Sequence, residues 1–421
     1  VSSWRTHPIL QQPKYSNKEE LEMVLNKIKV LPPIVSREEV DELIEKLQLV
    51  HEGKAFVVQC GDCAEAFDEC STEAIEKKAV LYKILAKIVE EVLGIPVIVI
   101  GRIAGQYAKP RSEDFETIGG EKIPVFRGEI VNSIDTSKRN ADPQRLLEAY
   151  FRSVATMNQL RQKPDLSVSS KNAVNELIEA GMKENESTSE QFSRFESALA
   201  RIELENFYTS HEALLLDYEE CFTRRFDDSK YYTLSAPFLW IGERTRNVKD
   251  AHLDFISGIS NPIGVKISDK ISPEDLVKIV RKLNPNNEPG KLTLITRFGA
   301  SKVDKALPPL IEAVKTEKLN VLWFADIVHG NTIKVDGIKT RVYEDLKKEL
   351  LTVISILKEN ELRLNGIHME VTPDNVTECL GGFCRKIEKE DLSKNYTSLC
   401  DPRLNLTQSV ELMLEISSTL Q

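Results

Sequence analysis

The side chains that could do chemistry fall at matching places along the chain. Cys60, Asp62, Cys63 and Glu65 follow the apolar run at 55–59, and Arg102, Lys109 and Arg111 follow the run at 96–101. His211 and Glu212 follow 206–210, and Glu243, Arg244 and Arg246 follow 238–242. Lys266 closes 262–267, and Arg297 lies in 292–298. Asp326 and His329 follow 320–325, His368 and Glu370 lie within 366–371, and Asp401 comes in the segment after it. Two chemistries separate. Arg102, Lys109, Arg111, Arg244, Lys266 and Arg297 are cations that, gathered at one place, call for a polyanionic ligand: the arginine fork fits carboxylate and phosphate oxygens, and lysine adds a point charge. Cys63, His329, Glu370 and Asp401 offer a thiolate, an imidazole and two carboxylates, a mixed set that suits a divalent Mn, Co, Fe or Zn.

Plainer readings stand beside these. Cys60 and Cys63 form a C-x-x-C, which is a redox pair in some proteins and a chance spacing in many. Glu370 could be only a salt-bridge partner, and Cys63 only a buried thiol. His368 shares a strand face with Glu370, for either support of that residue or packing. His252 falls on an expected helix and reads as structural, and His7 and His51 have no supporting context. Gly381-Gly382 belongs to neither a P-loop nor a dinucleotide fingerprint, since no G-x-G-x-x-G follows a strand.

The elements that must position these groups are legible as alternation. Eight short Val/Ile-rich runs, at 55–59, 96–101, 206–210, 238–242, 262–267, 292–298, 320–325 and 366–371, are separated mostly by amphipathic stretches. One helix is expected from about 73 to 93, closed by Gly94. Another is expected over 273–283, with Ser272 as cap, Pro273 at the first helical position and Glu274 and Asp275 in the first turn. A last one is expected from about 406 to 420. Strand–helix alternation implies a parallel sheet, and eight units predict an α/β fold of the (β/α)8 TIM-barrel type, with a doubly wound sheet as the alternative. In a barrel, chemistry gathers just past the C-terminal strand ends, where the polar groups above fall. Residues 1–50 read as an N-terminal extension and 51–421 as the catalytic barrel, with a helical insertion at about 143–205.

Composition narrows the function classes. A net charge of −10 argues against a nucleic-acid partner, while leaving room for a local basic pocket. No apolar run approaches the roughly 18 residues of a membrane span. Seven cysteines in 421 residues are too sparse for a disulfide scaffold and point to a reducing cytoplasm. The N-terminal VSSWRTHPILQQPKY lacks a signal pattern. It begins with Val, so a removed leader, and with it a plastid location, stays open.

At these residues the chain resembles the class II (plant-type) 3-deoxy-D-arabino-heptulosonate 7-phosphate (DAHP) synthases. The matching stretches are QQPKY at 11–15, GDCAEAF at 61–67, RIAGQYAKPRS at 102–112, SHEALLLDYE at 210–219 and WIGERTR at 240–246. NPIGVK at 261–266, HGNT at 329–332, NVTECLGG at 375–382 and CDPRLN at 400–405 complete them.

The resemblance implies a (β/α)8 barrel and a metal-dependent condensation. Phosphoenolpyruvate and erythrose 4-phosphate react with water to give the heptulosonate phosphate and phosphate, the first step of the shikimate route to aromatic amino acids. It implies Cys63, His329, Glu370 and Asp401 as metal ligands, with Mn or Co favoured over Zn or Fe. Arg102, Glu243 (through its backbone), Arg244, Lys266 and Arg297 correspond to the phosphoenolpyruvate site. Lys109, Arg111 and Ser112 correspond to the sugar-phosphate site, and Lys109 and His329 are the candidate catalytic groups. Partners are then the two small-molecule substrates and further copies of the chain, as a homodimer or larger homo-oligomer.

The match has departures. The relatives' Cys-Asp-Pro-Met-His is here Ala325-Asp326-Ile327-Val328-His329, and their Ser-Ala-His is Ser235-Ala236-Pro237. Two alternatives therefore stand. One is a secondary-metabolism paralogue using an amino or imino sugar phosphate. The other is a non-catalytic regulator that binds phosphometabolites.

Overall fold

The computed structural model describes residues 2–421. Eight strands, Phe56–Gly61 (β1), Val97–Arg102 (β2), Phe207–Glu212 (β3), Phe238–Ile241 (β4), Ile263–Ile267 (β5), Leu292–Thr296 (β6), Leu322–Asp326 (β7) and Gly366–Glu370 (β8), form the barrel. They pair in parallel and in chain order, and β1 closes the ring by pairing with both β2 and β8. The fold is thus a (β/α)8 barrel, and closure excludes the doubly wound sheet. All eight apolar runs are strands. Four end one or two residues further along than the sequence pattern suggests, so Arg102, Glu212 and Asp326 are terminal strand residues rather than loop residues.

Strands buried on both faces must be apolar nearly throughout, which is why these runs stand out. Val57, Ile98, Ile100, Tyr208, Phe238, Ile295, Leu322 and Phe324 point inward as one cluster. Phe56, Val58, Val97 and Val99 point outward into the larger core under the helices. Helix Arg37–His51 (α2) follows helix Lys18–Val30 (α1) and closes the barrel floor. Its Leu43, Leu47 and Val50 join the inward cluster. A capping box between Ser36 and Glu39 fixes where α2 begins.

Higher in the barrel the lining turns polar. Gln59 Nε2 donates to Ser210 Oγ at 3.2 Å, and Gln59 Oε1 lies 2.8 Å from His368 Nδ1. The change from oil to hydrogen bonds marks the end where a polar ligand can be met.

The helices begin and end where their chemistry dictates. Helix Thr72–Leu93 (α3) is capped by Ser71 and stopped by Gly94 at φ 67°, a left-handed position. Residues 143–205 supply Gln144–Arg161 (α4), Ser167–Glu179 (α5) and Ser189–Leu199 (α6); α4 packs on α1, and α5 and α6 pack on α3. After two short helices, Leu216–Cys221 (α7) and Ala251–Ser257 (α8), comes Pro273–Leu283 (α9), with the cap and first-turn acids expected for it. Val303–Thr316 (α10), Tyr343–Glu359 (α11) and Leu406–Ser417 (α12) complete the set. His252 lies in α8 with Nε2 on the Leu214 carbonyl; burial pushes it down to about 4, so it is a neutral packing residue.

The sequence pattern misses the hairpins. Phe115–Ile118 pairs with Glu121–Pro124, and Ile333–Val335 with Ile338–Thr340, as antiparallel ribbons of three or four residues. They are too short and polar to register as strands. Both flank the barrel mouth.

Candidate active site

A cavity of about 480 Å³ opens at the C-terminal strand ends. Its lining includes Cys63, Arg102, Lys109, Arg111, Ser112 and Glu243, and equally Arg244, Lys266, Arg297, His329 and Asp401. Of the metal-ligand and substrate-site residues that the resemblance implies, only Glu370 is outside the lining. It is fully buried directly behind, in contact with Arg102 and His329.

Arg102 is the hub. Its Nε donates to the Asp62 carbonyl at 2.8 Å, and Nη2 to the Cys63 carbonyl at 3.2 Å and Glu370 Oε1 at 3.0 Å. Nη1 meets His368 Nε2 at 2.8 Å. A guanidinium can only donate, so His368 Nε2 accepts and its Nδ1 carries the proton toward Gln59. His368 is held well below the usual imidazole range by burial and by Lys266, although Asp326 pulls the other way. It therefore supports Arg102 as a neutral acceptor. Beneath lies Trp240, its ring centroid 5.1 Å from the Arg102 guanidinium and 6.0 Å from Lys266 Nζ. This apolar floor strengthens charge interactions above it.

His329 bridges two carboxylates. Its Nδ1 lies 2.8 Å from Asp326 Oδ2 and its Nε2 2.9 Å from Glu370 Oε1. Glu370 also takes Arg341 Nη1 on Oε2 at 2.8 Å. Burial pushes the Glu370 carboxyl up, but His329, Arg341, Lys109 and Arg102 outweigh it and hold it well below the ordinary range. Asp401 takes Lys109 Nζ on Oδ2 at 2.5 Å and Lys339 Nζ on Oδ1 at 3.2 Å. Against the effect of burial, these cations hold it ionised too.

The ligand atoms of His329, Glu370 and Asp401 lie within 4.8 Å of one another. Cys63 Sγ accepts from the Asp401 amide at 3.2 Å. Burial raises this thiol, but a hydrogen bond with Cys400 and the charge of Lys109 bring it below its usual value. One imidazole nitrogen oriented through its other nitrogen by a carboxylate, two ionised carboxylates and an acidified thiol fit a divalent metal. Asp326, His329 and His368 also lie close enough to share an ion. There, however, Lys266 Nζ already sits 2.6 Å from Asp326 and 3.0 Å from His368 Nε2, and a second cation would be repelled. Cys60 is separate: it lies in the outward core, its thiol pushed far up by burial, so it does not pair chemically with Cys63.

The loops are fixed by buried acids. Glu65 accepts from three successive amides, of Ala104, Gly105 and Gln106, at 2.7–3.0 Å. This holds the turn between Arg102 and Lys109, including Ala104 at φ 61°. Glu378 accepts from the amides of Thr397, Ser398 and Arg403, and so sets the loop that carries Asp401. Gln11 pairs both ways with the Arg111 backbone at 2.9 Å, which ties the QQPKY stretch to the mouth. Asp326 Oδ1 accepts from the Val328 and His329 amides, while Ile327 and Val328 are fully buried. The His329 turn is thus set by Asp326.

The sequence reading gave Glu212 no role. Among the described residues its Oε1 has no hydrogen-bond partner, and it lines the cavity. Its backbone is pinned by Gln106 Oε1, and a Cβ on Gly242 would fall 2.0 Å from Oε1. Burial raises its pKa, while Lys266, Lys109, Arg102 and Arg244 oppose the rise. Glu243 instead turns aside, accepting from Arg246 and Ser268, consistent with a backbone role. Arg244, exposed at the rim, reaches Ser112 Oγ at 2.8 Å.

Residues 1–417 match the family model described as the class-II DAHP synthetase family. The chain belongs to the class-II DAHP synthetase family. Among curated members, a phospho-2-dehydro-3-deoxyheptonate aldolase of Neurospora crassa is 42% identical, covering 97% of this chain and 92% of that protein. Aldolases of the same name from Streptomyces coelicolor and Mycolicibacterium smegmatis are 38% and 36% identical, each over 98% of this chain and 95% and 93% of their own. Membership in the class-II family makes the chain an enzyme. Among the described residues no helix is long and apolar enough to cross a membrane.

Proposed function

We propose that the chain condenses phosphoenolpyruvate with D-erythrose 4-phosphate and water to give 3-deoxy-D-arabino-heptulosonate 7-phosphate and phosphate. The observation that carries this reading is one cavity in which a His–Glu–Asp donor cluster faces converging Arg and Lys side chains. Arg102, Arg244, Lys266, Arg297 and the Glu243 backbone would hold the phosphate and carboxylate of phosphoenolpyruvate, and Lys109, Arg111 and Ser112 the sugar phosphate. Cys63, His329, Glu370 and Asp401 would hold the divalent metal, manganese or cobalt before zinc or iron. When bound there it supplies Lewis-acid polarisation of the aldehyde oxygen.

The chain's own residues then do three things. The cations offset repulsion between two anionic substrates and hold C3 of phosphoenolpyruvate against the aldehyde carbon, which lowers the entropic barrier. Lys109 acts by charge, because Asp401 and the Cys63 thiol keep it firmly an ammonium against burial. Glu212, whose side chain lines the cavity, takes a proton from the water that adds at C2. The two protons of that water end on the new hydroxyl and the departing phosphate, and the C2–O bond to phosphate breaks.

The division into a 1–50 extension and a 51–421 catalytic barrel is part of this proposal, as are a homo-oligomeric state and a reducing, cytoplasmic setting, which the seven free cysteines favour. Turnover with erythrose 4-phosphate and with its imino analogue tests the substrate. The proposal expects a clear preference for erythrose 4-phosphate. Negligible turnover of it beside rapid use of the imino compound would mark a secondary-metabolism paralogue.

A further inference from the structure

Glu349 lies on α11, outside the cavity, yet this acid is only 1% exposed. Its Oε1 accepts from the Phe298 and Gly299 amides at 3.0 and 2.9 Å, in the loop after β6 that begins with Arg297. Its Oε2 accepts from Asn331 Nδ2 at 2.6 Å, in the loop after β7 that carries His329. Asn331 returns the link, since its Oδ1 accepts from the Ala300 amide at 2.9 Å while Nδ2 also reaches the Ile327 carbonyl at 2.8 Å.

The two loops touch without side chains. A Cβ on Gly330 would fall 2.2 Å from the Gly299 amide nitrogen, and one on Gly299, at φ +90°, 2.5 Å from the Gly330 carbonyl oxygen. Arg297 Nη2 lies 3.4 Å from the His329 carbonyl oxygen.

We infer that Glu349, acting through Asn331, is a positioning residue that clasps the Arg297 loop to the His329 loop, so that an anion-binding guanidinium and the imidazole move as one body. The inference rests on the reading of Arg297 as a phosphoenolpyruvate contact. Every partner of Glu349 is a donor, so the clasp requires the carboxylate. Burial pushes that carboxyl up to about 7 even though the two backbone amides pull it toward the charged form. A purely local packing role would not need one acid to serve both loops at once, nor two glycines in backbone contact. The hydrogen bond from Asn331 to Glu349 joins the acid that holds the Arg297 loop to the His329 loop, beside the link from the Ala300 amide to Asn331.

The test exchanges donor and acceptor. Glu349→Gln keeps the shape and one acceptor but turns an NH₂ toward the Asn331 NH₂. Asn331→Asp turns two carboxylates together. In the double variant glutamine donates to aspartate, leaving only the Ile327 carbonyl without its donor. Phosphoenolpyruvate is titrated calorimetrically into each purified protein without the second substrate, and thermal melts run in parallel. Val353→Ala, on the same helix but in the apolar core, is the stability control.

Each single variant is expected to bind phosphoenolpyruvate at least about 10-fold more weakly, and the double variant to recover most of that loss. The control should melt earlier with unchanged affinity. Single variants at wild-type affinity, a double variant no better than the singles, or affinity that simply tracks melting temperature overturns the clasp. If a single variant does not fold, the double variant against wild type and control decides. Failure of wild type itself to bind phosphoenolpyruvate overturns the reading of the pocket as well.

Discussion

Replacing Glu212 with glutamine is expected to lower kcat on the order of 10²–10³-fold while changing substrate KM values only a few-fold, the scale of a lost general base. The glutamine keeps the volume that Gly242 makes room for and the backbone hydrogen bond from Gln106 is untouched, so the fold and the cationic mouth should survive. What is lost is a carboxylate oxygen with no other duty. Burial raises the folded pKa of Glu212, and the surrounding cations only partly oppose this. The base form is therefore lost on acidification earlier than for an ordinary glutamate. The wild-type kcat/KM profile should show an acid limb above the usual glutamate range, and the variant should lack it. Steady-state kinetics across pH check both parts. A variant within a few-fold of wild type would assign the proton transfer elsewhere.

Glu370→Gln should be the most damaging single change to stability and to metal binding together. Glu370 is fully buried and faces Arg102, Arg341 and His329. Removing its charge leaves two buried guanidinium groups uncompensated, which costs about 3–5 kcal/mol when a buried pair loses one partner. The sign with pH follows from the depressed pKa. The carboxylate's stabilisation is fully present above the ordinary glutamate range and is lost only as pH falls through its much lower folded value. The deficit of the variant should therefore be constant between pH 6 and 8 and shrink only in strong acid. Denaturant unfolding at several pH values measures this, and elemental analysis should find the variant without stoichiometric metal. A variant as stable as wild type would show that Arg102 and Arg341 are balanced by other groups.

The barrel was legible because strands buried on both faces leave little choice of residue, and all eight runs appear as strands. The mouth was legible for the same reason, since polar residues at strand ends break an otherwise apolar pattern. Cys63, His329, Glu370 and Asp401 are scattered along the chain, so spacing could only suggest them, and the resemblance named them as a set. The loop-fixing roles of Glu65 and Glu378 were not legible. They act on backbone amides of distant loops, and backbone contacts leave no mark on spacing. Glu349 did leave a signal, an acid between Leu346, Leu350 and Val353 on the buried face of α11. On an amphipathic helix that position should be apolar unless the acid has donors waiting for it. The hairpins at the mouth escaped because three-residue ribbons carry no period.

The measurement that bears most directly on the central claim is formation of the heptulosonate phosphate from phosphoenolpyruvate and erythrose 4-phosphate, with and without a chelator. The account predicts product and phosphate in equal amounts, loss of both on chelation, and recovery when manganese or cobalt is returned. Product formed at full rate in chelator would contradict the metal-centred reading. Tight binding of phosphoenolpyruvate with no product under any metal would mean that the barrel has kept its anion site and lost its reaction.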